Sequence, residues 1–95
     1  MKCTFDWDEE KNEANFEKHG VWFDEARTIW ADPYSEEFFD PDYSDDEDRY
    51  LRIGVSTLHN TLLVVFCERA DGHTIRIISA RKATARERKQ YEEGV

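Results

Sequence analysis

Long hydrophobic runs are missing from this 95-residue chain: the longest, Leu62–Cys67, is six residues. A membrane-spanning helix needs about 20 apolar residues, so none is expected. No apolar stretch follows Met1-Lys2, so a secretory leader is not expected either. Cysteine is scarce too. Cys3 and Cys67 sit in strand-like stretches without the close spacing of metal ligands. Buried free thiols in a cytoplasmic protein are the plainer expectation, and a bridge between the two stays open. Positive charge is also in short supply, with 13 Lys and Arg against 22 Asp and Glu, a net charge of −9 and a pI near 4.7. That balance argues against broad nonspecific nucleic-acid binding, which depends on Lys and Arg displacing counterions. It leaves room for a local basic site.

What the chain does have is aromatic residues: six Phe, four Tyr and three Trp. A charged fraction of 37% would otherwise point to disorder, but disordered chains are poor in aromatics. A single globular domain over residues 1–95 is expected, with one core. Charge is unevenly spread along it. The segment "DPYSEEFFDPDYSDDED", Asp32 to Asp48, holds nine acids and no base. "RIISARKATARERKQY", Arg76 to Tyr91, holds six bases against one acid, so the other 79 residues carry −14.

Periodicity predicts the elements in turn. A short strand over Lys2–Trp7 puts Cys3, Phe5 and Trp7 on one face. Asp8 is a plausible N-cap for a helix from Glu9 to His19, with Gly20 as its C′ residue. Its apolar content is thin, so it should lie on the surface. A second helix fits Phe23–Ala31 and stops at Asp32-Pro33. Two prolines and like-charge repulsion then predict an acidic loop over 32–48. Strands follow at Arg49–Val55, Thr61–Glu68 and His73–Ala80, the last two joined by an Asp71-Gly72 turn. A final helix spans about Thr84–Glu93. The order β-α-α-β-β-β-α describes an α+β domain, an antiparallel sheet backed by helices.

The blocks "FDWDEEKNEANFEKHGVWFDEA", "EDRYLRIG", "LLVVFCER" and "IRIISARKATARERKQY" closely resemble the BrnT family of ribonuclease toxins, over residues 5 to 91. The resemblance implies a RelE-like fold and an endoribonuclease that cleaves RNA without a metal or other cofactor, arresting translation. It also implies a cytoplasmic partner, a BrnA-like antitoxin in a hetero-oligomer such as a heterotetramer. That antitoxin supplies the only contact with operator DNA, and no membrane is involved. Two positions depart from the family pattern: Trp22 stands where a Ser-like helix cap is common, and Tyr43-Ser44 where His precedes Ser. Those departures and the acid excess keep a second expectation open, a decayed toxin that binds the antitoxin and helps repress without cutting RNA.

Metal-free RNA cleavage needs a base for the 2′-hydroxyl, a cation at the phosphate and an acid for the leaving oxygen. Arg76, within a strand, and Arg81, at its exit, are candidate phosphate ligands or exposed-face arginines of a half-buried sheet. Glu47 and Arg49, two apart in an extended chain, leave the same face and are candidates for base and phosphate ligand, or simply pair with each other. Tyr91 is a candidate proton donor or base-stacking ring, with packing of the last helix as the rival role. Lys18, His19, Arg52 and Lys82 are candidate RNA contacts; for His19 the competing role is that of a cation at a helix C-terminus. Arg86, Arg88 and Lys89 read as a solvated basic face.

Overall fold

A computed structural model describes residues 4–40 and 48–94. Strand β1 (Thr4–Asp6) leads into helix α1 (Glu9–His19), then α2 (Phe23–Ala26), which tightens into a 3₁₀ turn over Arg27–Ala31. Strands β2 (Glu36–Asp40), β3 (Arg49–Val55), β4 (Thr61–Glu68) and β5 (Thr74–Lys82) precede helix α3 (Ala85–Glu93). They form a five-stranded sheet in the order β1-β5-β4-β3-β2. All pairs are antiparallel except β1 with β5.

The expected α+β class is what the chain adopts, with two corrections: the sheet is not wholly antiparallel, because the helices between β1 and β5 carry the chain back to lay β1 parallel to β5, and the order gains a strand. Residues 36–40, expected as part of a loop, form an edge strand paired residue for residue with 49–53. Phe38 and Phe39 carry enough β-propensity to pair with β3, and an edge strand leaves their charged neighbours in solvent. The remainder of that expected loop, 41–47, lies outside the described residues.

Helix α1 has the predicted bounds and caps. The Asp8 carboxylate accepts from the Glu10 and Lys11 N–H groups, and Gly20 ends the helix at φ 72°. The helix lies on the surface, as its thin apolar content predicts, and the two residues it buries, Asn12 and Asn15, are polar. The Asn15 amide donates to the carbonyls of Val21 and Ala80 and accepts from the Ala80 N–H. Asn12 accepts from the Phe23 N–H at 2.8 Å. That bond replaces the cap Trp22 does not supply. Paired backbone groups, rather than apolar burial, hold α1 down.

One face of the sheet is covered by α2 and its 3₁₀ extension, which bury Val21, Phe23, Ala26 and Ile29 against Leu62, Val64, Ile77 and Ala80. A ladder of rings, Phe5–Trp30–Phe66–Tyr50–Phe39, crosses the same face at centroid spacings of 4.9–5.7 Å. Gly54 belongs here because β3 passes close to the 3₁₀ turn. A Cβ there would stand 2.9 Å from that of Ser35 and 3.1 Å from that of Ile29. The opposite face is partly covered by α3, whose Thr84–Glu87 capping box starts it and whose Tyr91 is buried. No helix among the described residues is long and apolar enough to cross a membrane.

Candidate functional site

Arg76 and Arg81 are five residues apart, so a regular strand would send them to opposite faces. A β-bulge prevents this. Val65 pairs with Ser79 and Phe66 with Ile77, leaving Ile78 as an extra residue in β5. Arg76 therefore stands beside Cys67, and Arg81 beside Leu63, on the side of the sheet away from α2. Arg49 joins them, being the other neighbour of Cys67.

The register makes this face a grid of three rows. The first runs Asp40, Arg49, Cys67, Arg76, Asp6 across all five strands. The second runs Phe38, Leu51, Val65, Ser79, and the third Glu36, Ile53, Leu63, Arg81. With strands about 4.8 Å apart, Arg49 and Arg76 are separated at the backbone by roughly 10 Å. The Cys67 side chain is buried between them. Cys3 and Glu47 lie outside the described residues.

The cations here have carboxylate neighbours. Asp6 bridges Arg76 at 3.4 Å and Arg69 at 3.3 Å, with all three side chains partly exposed. Arg81 forks onto Glu87 at 2.8 and 2.9 Å. That fork, opposed by partial burial and aided by the Thr84 N–H, holds the Glu87 carboxyl at about 2. The same bond pushes Arg81 upward. Asp6 and Glu87 thus partner the two arginines of β5.

Tyr91, 7% exposed, donates its phenol to Asp32 Oδ2, which also accepts from the Val55 N–H. Burial and the Asp32 carboxylate push the phenol up to about 12. Burial tends to raise the Asp32 carboxyl, but bonds from Tyr91, Val55 and Tyr34 outweigh it and hold it below the usual range. The Tyr91 ring closes a groove of about 170 Å³ between α3 and the second and third rows of the grid.

The other candidates are spread more widely. Arg52 projects from the covered face, 5.2 Å over the Trp30 ring, bound to Glu37 at 2.7 Å and to Ser35 Oγ at 3.1 Å. Lys18 and His19 follow Asn15 by three and four residues, so they share its side of α1. Asn15 is clamped on Ala80, which brings that turn to the Arg81 end of β5. Lys82 ends β5, exposed, in register with Leu62 of the covered face. Among the described residues, no three His, Cys, Asp or Glu side chains are grouped to hold a metal ion.

Sequence reasoning missed Asp32, a hinge between three elements that looked like a helix stop, and the groove over Leu51, Ile53 and Leu63. A carboxylate immediately before Pro signals a turn, and nothing in it foretells a bond to Tyr91, 59 residues on.

Residues 7–87 match the family described as "Ribonuclease toxin, BrnT, of type II toxin-antitoxin system". The chain belongs to the BrnT family. A solved BrnT relative, the ribonuclease toxin of Brucella abortus, superposes with a TM-score of 0.62 at 26% identity. The match covers 88% of this chain and 97% of that one. Among curated proteins, none matches the chain. The BrnT match spans α1 through the first turn of α3, so Arg49, Arg76 and the Arg81–Glu87 pair fall within it.

Proposed function

We propose that this chain is a cytoplasmic, RelE-like toxin that cleaves RNA without a metal, arrests translation and is neutralised by a BrnA-like antitoxin. Operator DNA is reached only through that antitoxin, in a hetero-oligomer of the two chains. The carrying observation is the row that sets the half-buried Arg49 and Arg76 on one sheet face, with a single strand between them. Two guanidiniums on either side of a phosphate offset the charge that builds on its oxygens as the 2′-oxygen attacks phosphorus. The 2′-hydroxyl proton passes to a carboxylate: Glu47, or Asp6 or Asp40 at the ends of the row. The 5′-oxygen leaves with a proton taken from water, the carboxyl gives its own proton back to solvent, and a 2′,3′-cyclic phosphate remains. Arg81 takes an adjacent phosphate, with Lys18 and His19 extending the contact surface; Lys82, in register with Leu62 on the covered face, is assigned to the other side of the sheet. Tyr91 is assigned to holding α3 on Asp32, since its proton is already committed there. Arg52 is assigned to the covered face, with Trp30 and Glu37.

The test is expression of the chain alone, followed by digestion of purified RNA. Growth arrest and RNA loss are expected, and Arg49→Ala with Arg76→Ala should reduce cleavage by at least about a hundredfold while leaving the fold intact. Soluble, folded protein that leaves RNA intact would reject the reading. A second reading, a non-catalytic antitoxin-binding co-repressor, is favoured by one observation: Arg76 and Arg81 each already bind a carboxylate. It requires partner binding and operator repression by the complex, with no cleavage by the free chain.

A further inference from the structure

The groove beside the arginine row has the form of a base pocket. Phe38 and Leu51 floor it, and Tyr91 and Gln90 wall it from α3. Both floor residues belong to the row next to Asp40 and Arg49, two residues along their strands. Two residues of strand cover about 6.6 Å, a span that a nucleotide with its phosphate on Arg49 bridges to put its base over Phe38. Phe38 is 49% exposed, a ring presented rather than packed away, as single-stranded RNA readers present theirs.

The polar groups at the groove decide which base fits. Glu36 lies at its far end, in register with Ile53, and its side chain makes no hydrogen bond or ion pair among the described residues. An ionised carboxylate only accepts. Among the common bases, guanine alone offers two adjacent N–H donors, N1–H and the N2 amino group, on its Watson–Crick edge. Glu87, the other carboxylate of the groove, is already taken by Arg81 and the Thr84 N–H. We infer that the groove between α3 and β2–β4 is a guanine subsite, with Phe38 as stacking platform and Glu36 as reader of the N1–H/N2–H edge. This rests on the ribonuclease reading above, which leaves the target base open.

The test uses the full chain and two mononucleotides, 5′-GMP and 5′-AMP, followed by NMR shifts of the Phe38 and Tyr91 rings. GMP is expected to bind at least about tenfold more tightly than AMP, the discrimination of one good bidentate pair. Glu36→Gln should erase that preference, and Phe38→Ala, a change at an exposed position, should weaken both nucleotides. In a digestion assay the wild type should cut beside guanine, with Glu36→Gln flattening the profile. Equal binding of the two nucleotides, or an unchanged cleavage profile in Glu36→Gln, overturns the subsite while leaving the nuclease standing. GMP preference in a chain that cuts no RNA supports the subsite and rejects the nuclease instead.

Discussion

Replacing Glu87 by Gln removes one charge and little else. The amide keeps an oxygen to accept the Thr84 N–H, so the α3 cap persists while the fork with Arg81 is lost. The side chains of Arg81 and Glu87 are 38% and 29% exposed, so solvent screens much of their attraction. About 1 kcal/mol is a reasonable value for a bidentate pair so placed. For a domain of this size that lowers the melting temperature by roughly 4–8 °C at pH 7. The pH dependence identifies the cause. Arg81 and Thr84 hold the Glu87 carboxyl at about 2, against 4.5 for an ordinary glutamate. A depressed carboxyl stabilises the fold fully above its unfolded value, and that stability is lost as the pH falls through the folded one. The gap between wild type and Glu87→Gln in urea unfolding should therefore be constant above about pH 5 and close steadily towards pH 2. A gap that stays the same from pH 7 to pH 2, or none at pH 7, would refute the assignment of that energy to the ion pair.

Two further substitutions probe the polar supports of the fold. Asn15→Ala strips partners from both backbone groups of Ala80 and from the Val21 carbonyl, and should cost about 2–3 kcal/mol in chemical denaturation. Loss of much less would mean that water reaches the β5 edge there. Tyr91→Phe leaves the Asp32 carboxylate without its phenol donor and should cost about 1–2 kcal/mol, while the aromatic wall of the groove remains. RNA cleavage by this variant, measured at a temperature where it stays folded, should remain near wild type; a drop of a hundredfold would return Tyr91 to proton transfer.

What could be read from the residues followed local rules. The caps of α1 are written in Asp8 and Gly20, and β4 in an unbroken apolar run, so their bounds came out as expected. Strand β2 was hidden because charge dominates it, and its pairing with β3 is a tertiary fact that no short window contains. The burial of Asn12 and Asn15 was illegible for the same reason: their partners are backbone groups at Phe23, Val21 and Ala80. The arginines of the candidate site were found by charge and spacing, but the face each one occupies was not. Arg52 and Arg49 alternate by simple parity, whereas Arg76 and Arg81 do not.

The extra residue at Ile78 makes arginine spacing and strand irregularity a linked pair of characters. A related chain that lost one residue between Ile77 and Arg81 would need no bulge to hold both guanidiniums on the same side. One that kept the length but straightened the strand would turn one of them beneath the sheet. Aligning such chains residue by residue would score the first as a deletion and the second as identical, although only the first preserves the surface.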